Sequence, residues 1–149
     1  MVKRLIYPPV WLLFGLIGIF ALNESYPLVR FTSLTWQIAG GVLIVAGMLL
    51  LVSANGLFVR AGTDVIPFKD VSSLVTSGVY RFSRNPMYLG MVLVLLGCAV
   101  TVGAASALPI PLLFAIIVEL RFIRPEERML QGLFPAEYPA YCARVRRWL

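Results

Sequence analysis

The sequence predicts an all-α integral membrane protein with about four transmembrane helices. Of its 149 residues, 60% are hydrophobic and 13% are charged, and the mean hydropathy is +0.87, far above that of an ordinary soluble domain. The apolar residues form blocks that nearly or fully span a hydrocarbon layer of about 30 Å. None of the blocks alternates with the period of two that barrel strands require, so helices are favoured. The four predicted helices are 5–22, 34–59, 87–102 and 104–123.

The first block follows Lys3 and Arg4, and a basic start before an apolar run is also the pattern of a secretory signal. We expect a retained helix instead, because the sequence ALNES at 21–25 lacks a small-x-small cleavage pattern. Pro8 and Pro9 stand where such a helix would begin, a position that tolerates proline.

Small residues and short connections indicate how the other helices pack. In the second block, Gly40, Gly41 and Gly47, with Ala39 and Ala46, would allow another helix to approach closely, and ordinary packing is the alternative meaning of this pattern. The third and fourth blocks are joined by TVGAAS at 101–106, which leaves almost no room for a loop and predicts a tight antiparallel hairpin. Pro109 and Pro111 fall near the start of the fourth helix, where missing amide donors are least harmful.

The net charge of +6 is explained by topology and not by nucleic-acid binding, because the basic residues flank the apolar blocks. The two remaining connections carry only Arg30. By the positive-inside rule, both termini, the 60–86 loop and the C-terminal helices face the cytoplasm, as in a multi-pass inner-membrane protein. The flanking basic residues are Lys3, Arg4, Arg60, Lys69, Arg81, Arg84, Arg121, Arg124, Arg128, Arg144, Arg146 and Arg147.

Composition also excludes several kinds of chemistry. Cys98 and Cys142 are too few and too far apart for a disulfide framework or a metal spacing. The chain has no histidine, which removes the commonest metal ligand and the commonest general base near neutral pH. The sequence contains no glycine-rich phosphate loop, zinc-protease motif or nucleophile elbow. We therefore expect neither a metal nor a soluble nucleotide-binding fold.

The segment SGVYRFSRNPMYLG at 77–90 concentrates polar chemistry at the start of the third helix. Asn85 and Pro86 form a good N-cap and first-turn pair, and Arg84 beside a helix start makes an anion site. The alternative is that the pair merely starts the helix, while Arg84 snorkels and Tyr80 and Tyr88 belong to the aromatic belt.

Glu126 and Glu127 emerge directly after the fourth apolar block. Acidic residues in a first helical turn are favourable for electrostatic reasons alone. Together with the anion site at the same membrane surface, however, they suit a zwitterionic or cationic small ligand. Glu119 lies inside the block, so it is either a functional intramembrane acid or a hydrated residue near the helix end.

The C-terminal tail combines an amphipathic stretch with aromatic residues. The stretch RPEERMLQGLF at 124–134 has the spacing of a helix lying against protein or membrane surface. The remaining AEYPAYCARVRRWL carries Tyr138, Tyr141 and Trp148 among arginines, a pattern typical of interfacial anchors.

Two of these segments together resemble a family of membrane methyltransferases, the group that includes isoprenylcysteine carboxyl methyltransferase and the phospholipid N-methyltransferases. The resemblance rests on LVTSGVYRFSRNPMYLG at 74–90 and EERMLQGLFPAEYPAYCARVRRWL at 126–149, in that order on either side of a helical hairpin. It implies one methyltransferase domain over 1–149, with cofactor-binding segments at 72–90 and 124–149. The family binds S-adenosylmethionine in a cytoplasm-facing pocket roofed by the C-terminal segment, and a lipophilic acceptor enters from the bilayer.

The resemblance also implies roles for individual residues. Arg84, Asn85 and Glu127 are the predicted catalytic residues, while Arg124 and Glu119 are predicted to contact the acceptor. The family often has histidine where this chain has Asn85, which cannot accept a proton. The tail reads LFPAEY where the family usually has phenylalanine-glycine, so the turn there differs. The predicted cofactor-binding residues are Leu74, Val75, Tyr80, Arg84, Asn85, Pro86, Tyr88, Gly90, Glu126 and Glu127.

Among the activities of the family that this chain resembles, we expect one most like isoprenylcysteine carboxyl O-methylation. Methyl transfer from a sulfonium needs alignment more than proton chemistry, and a carboxylate or thiolate acceptor requires no general base. An amine acceptor must first lose a proton, a task left to Glu119, Glu126, Glu127, a tyrosine or water. The alternatives are phospholipid or small-amine N-methylation, or a four-helix transporter or scaffold in which Glu119 is a coupling carboxylate.

Overall fold

The computed structural model describes residues 7–60, 62 and 73–149. Over this part of the chain the structure is helical, and the only extended pairing is an isolated bridge between Arg30 and Ala104. The predicted all-α class is therefore confirmed. The helices are α1 (Pro8–Ser25), α2 (Leu34–Arg60), α3 (Pro86–Val102), α4 (Pro109–Val118), α5 (Arg124–Leu133) and α6 (Glu137–Arg144).

Among the described residues, three helical stretches are long and apolar enough to cross a membrane, as expected for a membrane protein. They are Pro8–Ser25, Leu34–Arg60 and Ala105–Leu133, while α3 is a shorter apolar helix. Several sequence predictions lie outside the described residues: the start of the first helix at 5–6, residue 72, and the basic residues Lys3, Arg4 and Lys69.

The fourth predicted helix, 104–123, has different boundaries in the structure. A short 3₁₀ turn at Ala105–Ala107 precedes α4, which begins at Pro109. At its other end, α4 continues through a π-helical turn, Glu119–Ile123, directly into α5. The polar stretch after 123 therefore continues the helix beyond the predicted end.

The outward faces of α1 and α2 are covered by large apolar side chains. Each of these residues exposes more than half of its surface in the isolated chain. Such a wide apolar surface is unfavourable in water and natural against lipid tails. The residues include Leu13, Phe14, Ile17, Phe20, Val42, Val45, Leu49 and Val52.

The closest helix packing is between α2 and α3, and two glycine pairs create it. A Cβ atom added to Gly97 would lie 2.6 Å from the carbonyl oxygen of Gly40, and one added to Gly90 would lie 2.9 Å from that of Gly47. The pairs are about two helical turns apart on each helix. The expected close approach is thus confirmed at Gly40 and Gly47 and is wrong at Gly41, which lies on another face of α2 and faces open space.

A tight turn joins α3 to α4, as predicted for the hairpin. Gly103 ends α3 in the left-handed conformation with φ of 70°, and its N–H donates to the carbonyl of Ala99, a common way to end a helix. The α1–α2 connection lies beside this turn, since the N–H of Phe31 donates to Gly103 and that of Ala105 to Val29. The polar segments 73–85 and 124–149 meet elsewhere, around the first turn of α3.

Candidate functional site

A cavity of about 480 Å³ lies where α2 ends and α3 begins, within the ~300–1,000 Å³ usual for small-molecule sites. It is enclosed by the start of α1, the end of α2, the segment before α3, the first turns of α3, and helices α5 and α6. The residues that line it are Tyr7, Pro8, Pro9, Phe58, Ser73, Leu74, Val75, Tyr80, Arg84, Asn85, Met87, Tyr88, Met91, Glu126, Glu127, Met129, Leu130, Tyr138 and Tyr141.

Most of the predicted cofactor-binding residues lie together on this wall, although they come from two distant segments. Pro86 and Gly90 are the exceptions. Pro86 is fully buried at the first position of α3, and Gly90 packs against the backbone of α2. The predicted residues that do line the cavity are Leu74, Val75, Tyr80, Arg84, Asn85, Tyr88, Glu126 and Glu127.

The segment before α3 is held in place by aromatic contacts. Gly78, in the left-handed region, opens a short 3₁₀ helix that buries Tyr80. The ring of Phe58 packs edge-to-face on Tyr80, and the hydroxyl of Tyr141 donates to the Tyr80 carbonyl oxygen over 2.6 Å. Burial raises the pKa of Tyr80 and raises that of Tyr141 to about 12. Both phenols are therefore neutral near physiological pH.

Asn85 and Pro86 occupy the N-cap and first positions of α3, as the sequence predicts. The Asn85 side chain, however, turns to the C-terminal tail instead of capping the helix. Its Nδ2 atom donates to the carbonyl oxygen of Arg147 over 3.0 Å, while its backbone N–H donates to Ser83 Oγ over 3.1 Å. The backbone N–H of Arg84 likewise donates to the carbonyl of Arg146 over 3.0 Å.

Glu127 is paired with two arginines from different parts of the chain. Its Oε1 atom lies 3.2 Å from Arg84 Nη2 and 3.0 Å from Arg147 Nε, and its Oε2 atom lies 2.8 Å from Arg147 Nη2. The Arg84 guanidinium also contacts the sulfur of Cys142. Its Nε atom is buried and has no hydrogen-bond partner among the described residues.

Glu126 faces a different neighbour. Its Oε1 atom accepts a hydrogen bond of 2.7 Å from the hydroxyl of Tyr88 on α3. Consecutive residues of a helix point in directions about 100° apart, so the two acids of α5 contact different elements. Glu126 is directed to α3 and Glu127 to the tail, yet both line the cavity.

The two residues predicted to contact the acceptor, Glu119 and Arg124, do not line the cavity. They pair with each other, with Arg124 Nη2 2.9 Å from Glu119 Oε1. Glu119 also accepts from Arg147 Nη1 over 3.1 Å and from Trp148 Nε1 over 3.1 Å. Glu119 is thus connected to the cavity wall through Arg147.

Several residues of the site, in the cavity wall or next to it, were not predicted. Tyr138 and Tyr141, interpreted as interfacial anchors, are instead buried in the cavity wall. Their spacing of three places them on one face of α6 and was the available signal. No sequence signal indicates Arg147, because its contacts require the tail to fold back. The lining residues Met87, Met91 and Met129 were also not predicted, because nothing in the sequence distinguishes them from other apolar residues.

Comparison with known proteins gives one match. A family model described as phospholipid methyltransferase matches residues 35–137. The matched region contains α2, α3 and α5 and therefore most of the cavity wall. No curated protein and no solved structure gives a significant match. In the described ranges, no three histidine, cysteine or acidic side chains gather as metal ligands.

Proposed function

Because the chain belongs to the phospholipid methyltransferase family, we propose that its cavity binds S-adenosylmethionine and that the protein methylates a lipophilic acceptor at the membrane. The observation that carries this proposal is the composition of the cavity wall. The wall contains an arginine, two carboxylates and an amide together with methionines and leucines. A polar cofactor and an apolar acceptor can therefore meet in one cavity.

The charged groups fit the zwitterionic methionine portion of the cofactor. Arg84 and Arg147 share the carboxylate of Glu127, which leaves a surplus of positive charge for a ligand carboxylate. Glu126, held by Tyr88, supplies carboxyl oxygens that can accept hydrogen bonds from the ligand ammonium. Both ends of a zwitterion thus have a complementary side chain in the wall.

The other lining residues suit an adenosine portion. Leu74 and Val75 offer apolar surface from the segment before α3, as the family resemblance implies. Tyr80 and Tyr138 are neutral phenols, because burial raises the pKa of each. Aromatic surfaces with a neutral hydroxyl suit a heteroaromatic base that carries polar edges.

When bound, S-adenosylmethionine supplies an electrophilic methyl group on a sulfonium sulfur. The residues of the chain contribute alignment and the exclusion of water, which can provide most of the rate enhancement for such a displacement. Met87, Met91 and Met129 contribute apolar surface to the cavity wall. Flexible thioether side chains adapt to irregular apolar shapes, so this part of the wall suits the acceptor.

We propose a carboxylate or thiolate acceptor, most similar to the carboxyl group of an isoprenylcysteine. Asn85 cannot accept a proton, and these acceptors do not require one to be removed. The second candidate is an aminophospholipid, which the description of the family model favours. In that reaction Glu126, which lies in the wall, is the candidate proton acceptor.

We also propose that the cavity faces the cytoplasm, with both termini on that side of an inner membrane. The arginines of 81–84 and 121–147 belong to the segments at the cavity end. The opposite end, with the α1–α2 connection and the α3–α4 turn, carries only Arg30. This asymmetry supports the orientation under the positive-inside rule. In this arrangement 1–149 is a single methyltransferase domain.

The first test is calorimetric titration of S-adenosylmethionine into detergent-purified protein. Replacing Glu126 by glutamine should weaken binding about tenfold or more, because a carboxylate contact to an ammonium is lost. Glu137→Gln is the matched control, since Glu137 is an exposed acid on α6. If well-folded wild-type protein does not bind, with or without added lipid, the enzyme assignment fails and the transporter alternative is favoured.

The acceptor class is tested separately. Transfer of a labelled methyl group is measured with a prenylcysteine analogue and with an aminophospholipid in the same micelles. Efficient methylation of the aminophospholipid, with no transfer to the prenylcysteine analogue, would refute the carboxylate proposal while retaining the methyltransferase.

A further inference from the structure

We propose that Arg147, near the C-terminus, is a positioning residue that sets Glu127 and Arg84 for ligand binding in the cavity wall. Arg147 is not itself a lining residue, so it acts through the groups it contacts. The inference rests on the proposed function, because its effect is on the binding of S-adenosylmethionine.

The side chain of Arg147 forms a two-point contact with Glu127. Nε lies 3.0 Å from Oε1 and Nη2 lies 2.8 Å from Oε2. Two parallel hydrogen bonds between a guanidinium and a carboxylate fix the orientation of both groups. The carboxylate is about five-sixths buried, with 16% of the side chain exposed. Its orientation in the wall is therefore determined by the tail.

The backbone of Arg147 contacts the other predicted catalytic segment. Its carbonyl oxygen accepts a hydrogen bond of 3.0 Å from Asn85 Nδ2 and one of 3.4 Å from Ser83 Oγ. One residue of the tail thus orients Glu127 on α5 and Asn85 at the start of α3. No other described residue is hydrogen-bonded to both of these side chains.

Glu119 holds Arg147 from the opposite side, and the π turn brings this acid into reach. In a regular helix of about 3.6 residues per turn, Glu119 and Glu127 would be offset by roughly a quarter turn. The π turn at Glu119–Ile123 accommodates one extra residue, which brings the two acids to nearly the same face about two turns apart. Arg147 lies between them, with Nη1 3.1 Å from Glu119 Oε1.

The contacts of Arg147 determine how much of the positive charge of Arg84 is available to a ligand. With Arg147 present, Glu127 is neutralised by a two-point partner, and Arg84 makes only one contact of 3.2 Å with it. Without Arg147, Arg84 and Glu127 would form a closed pair of opposite charges. The surplus positive charge that suits a ligand carboxylate would then be lost.

The experiment compares Arg147→Gln and Arg147→Lys with Arg144→Gln. Arg144 is an exposed arginine of the same segment that donates only to the carbonyl of Ala140 among the described residues. We expect Arg147→Gln to raise the KM for S-adenosylmethionine about tenfold or more, with kcat changed less than about threefold. The lysine variant keeps the charge without the two-point geometry, so its KM should be intermediate.

Melting temperatures in detergent distinguish positioning from a merely structural role. Positioning predicts that Arg147→Gln melts close to Arg144→Gln while its KM rises. Glu119→Gln should raise the KM in the same direction by a smaller factor. In the double variant, Glu119→Gln should not raise the KM beyond that of Arg147→Gln alone, since both substitutions act through the contact between Glu119 and Arg147.

An unchanged KM in Arg147→Gln, with wild-type protein binding S-adenosylmethionine, would overturn this inference and leave the proposed function intact. If Arg147→Gln does not fold, the KM values of Arg147→Lys and Glu119→Gln test the inference instead. Wild-type KM values in both variants would overturn the positioning role of Arg147. Failure of the wild type to bind would instead overturn the proposed function and this inference together.

Discussion

The α2–α3 interface and the cavity are built from opposite kinds of contact. At the interface, backbone lies directly on backbone, because Gly40 faces Gly97 and Gly47 faces Gly90. At the cavity, long polar side chains span the gaps, with Arg84 and Arg147 on Glu127 and Tyr88 on Glu126. The first region tolerates no added atoms, and the second depends on charge and hydrogen-bond geometry.

This difference has a physical cause. Apolar helices in a membrane gain little by hiding apolar surface from lipid, so they associate through close packing. The cavity end must instead keep charged groups near the membrane, which is favourable only when they are paired. Substitutions at the interface should therefore act on stability, and those at the cavity should act mainly on ligand binding.

The largest effect is expected from Gly97→Leu at the interface. A Cβ atom there would lie 2.6 Å from the Gly40 carbonyl oxygen and 2.7 Å from Ile44 Cγ1. Overpacking typically costs about 1–3 kcal/mol. The added Cβ would also lie 2.8 Å from the backbone nitrogen of Ile44, and because the backbone of α2 cannot move aside as a side chain can, we expect a cost at or above the upper end. Thermal unfolding in detergent measures it. Gly41→Leu is the control, because no atom lies within 4 Å of a Cβ added there; equal melting of the two variants would contradict the packing account.

At the cavity, Tyr88→Phe should weaken binding of S-adenosylmethionine about tenfold. The change removes the hydrogen bond of 2.7 Å to Glu126, and bonds to charged groups contribute about 1.5–3 kcal/mol. Calorimetry measures the affinity of Tyr88→Phe and of the control Tyr26→Phe, in which the substituted tyrosine is 63% exposed. Unchanged affinity would mean that Glu126 needs no fixed orientation.

Tyr141→Phe tests whether a residue of the cavity wall can act mainly on stability. Tyr141 lines the cavity and also holds the segment before α3 in place. The variant loses the hydrogen bond to the buried Tyr80 carbonyl, and we expect the free energy of unfolding to fall by about 1–3 kcal/mol. A lower melting temperature, with cofactor affinity reduced less than by Tyr88→Phe, is the expected pattern. The reverse order of effects would make Tyr141 a ligand contact first.

The smallest effect on stability is expected from Arg124→Gln. Arg124 is 54% exposed and pairs only with Glu119 among the described residues, and such exposed pairs contribute about 0–1 kcal/mol. Its melting temperature should therefore stay near that of the wild type. A higher KM for the acceptor at this unchanged stability is the outcome that the family resemblance predicts. A wild-type acceptor KM would remove Arg124 from the acceptor site.

Much of the cavity wall could be predicted from the sequence because the residues belong to two continuous segments that resemble a known family. Leu74, Tyr80 and Glu126, which the resemblance groups at one predicted site, do line one cavity. Gly90 is different, because the same small residue suits close approach to a ligand or to a helix, and only the position of α2 distinguishes the two.

The tail was the least predictable region. Tyr138 and Trp148 have the composition of residues at a membrane interface, and that local pattern is also compatible with burial. The contacts of Trp148 with Glu119 and of Arg147 with Glu127 join residues about 20 to 30 positions apart. No local pattern encodes such pairs, so they required the folded structure.

By itself the sequence determined the chemical class of the chain: apolar helical blocks, glycines spaced to let two of them touch, and polar segments confined to their flanks. These properties depend on composition and on the helical period, which local residues set. Only the tertiary structure decided which polar groups meet. The π turn aligns Glu119 with Glu127, and the folded tail places Arg147 between them. Such pairings depend on the relative positions of whole helices, because each ion pair forms only where two distant segments bring complementary charges within a few ångströms.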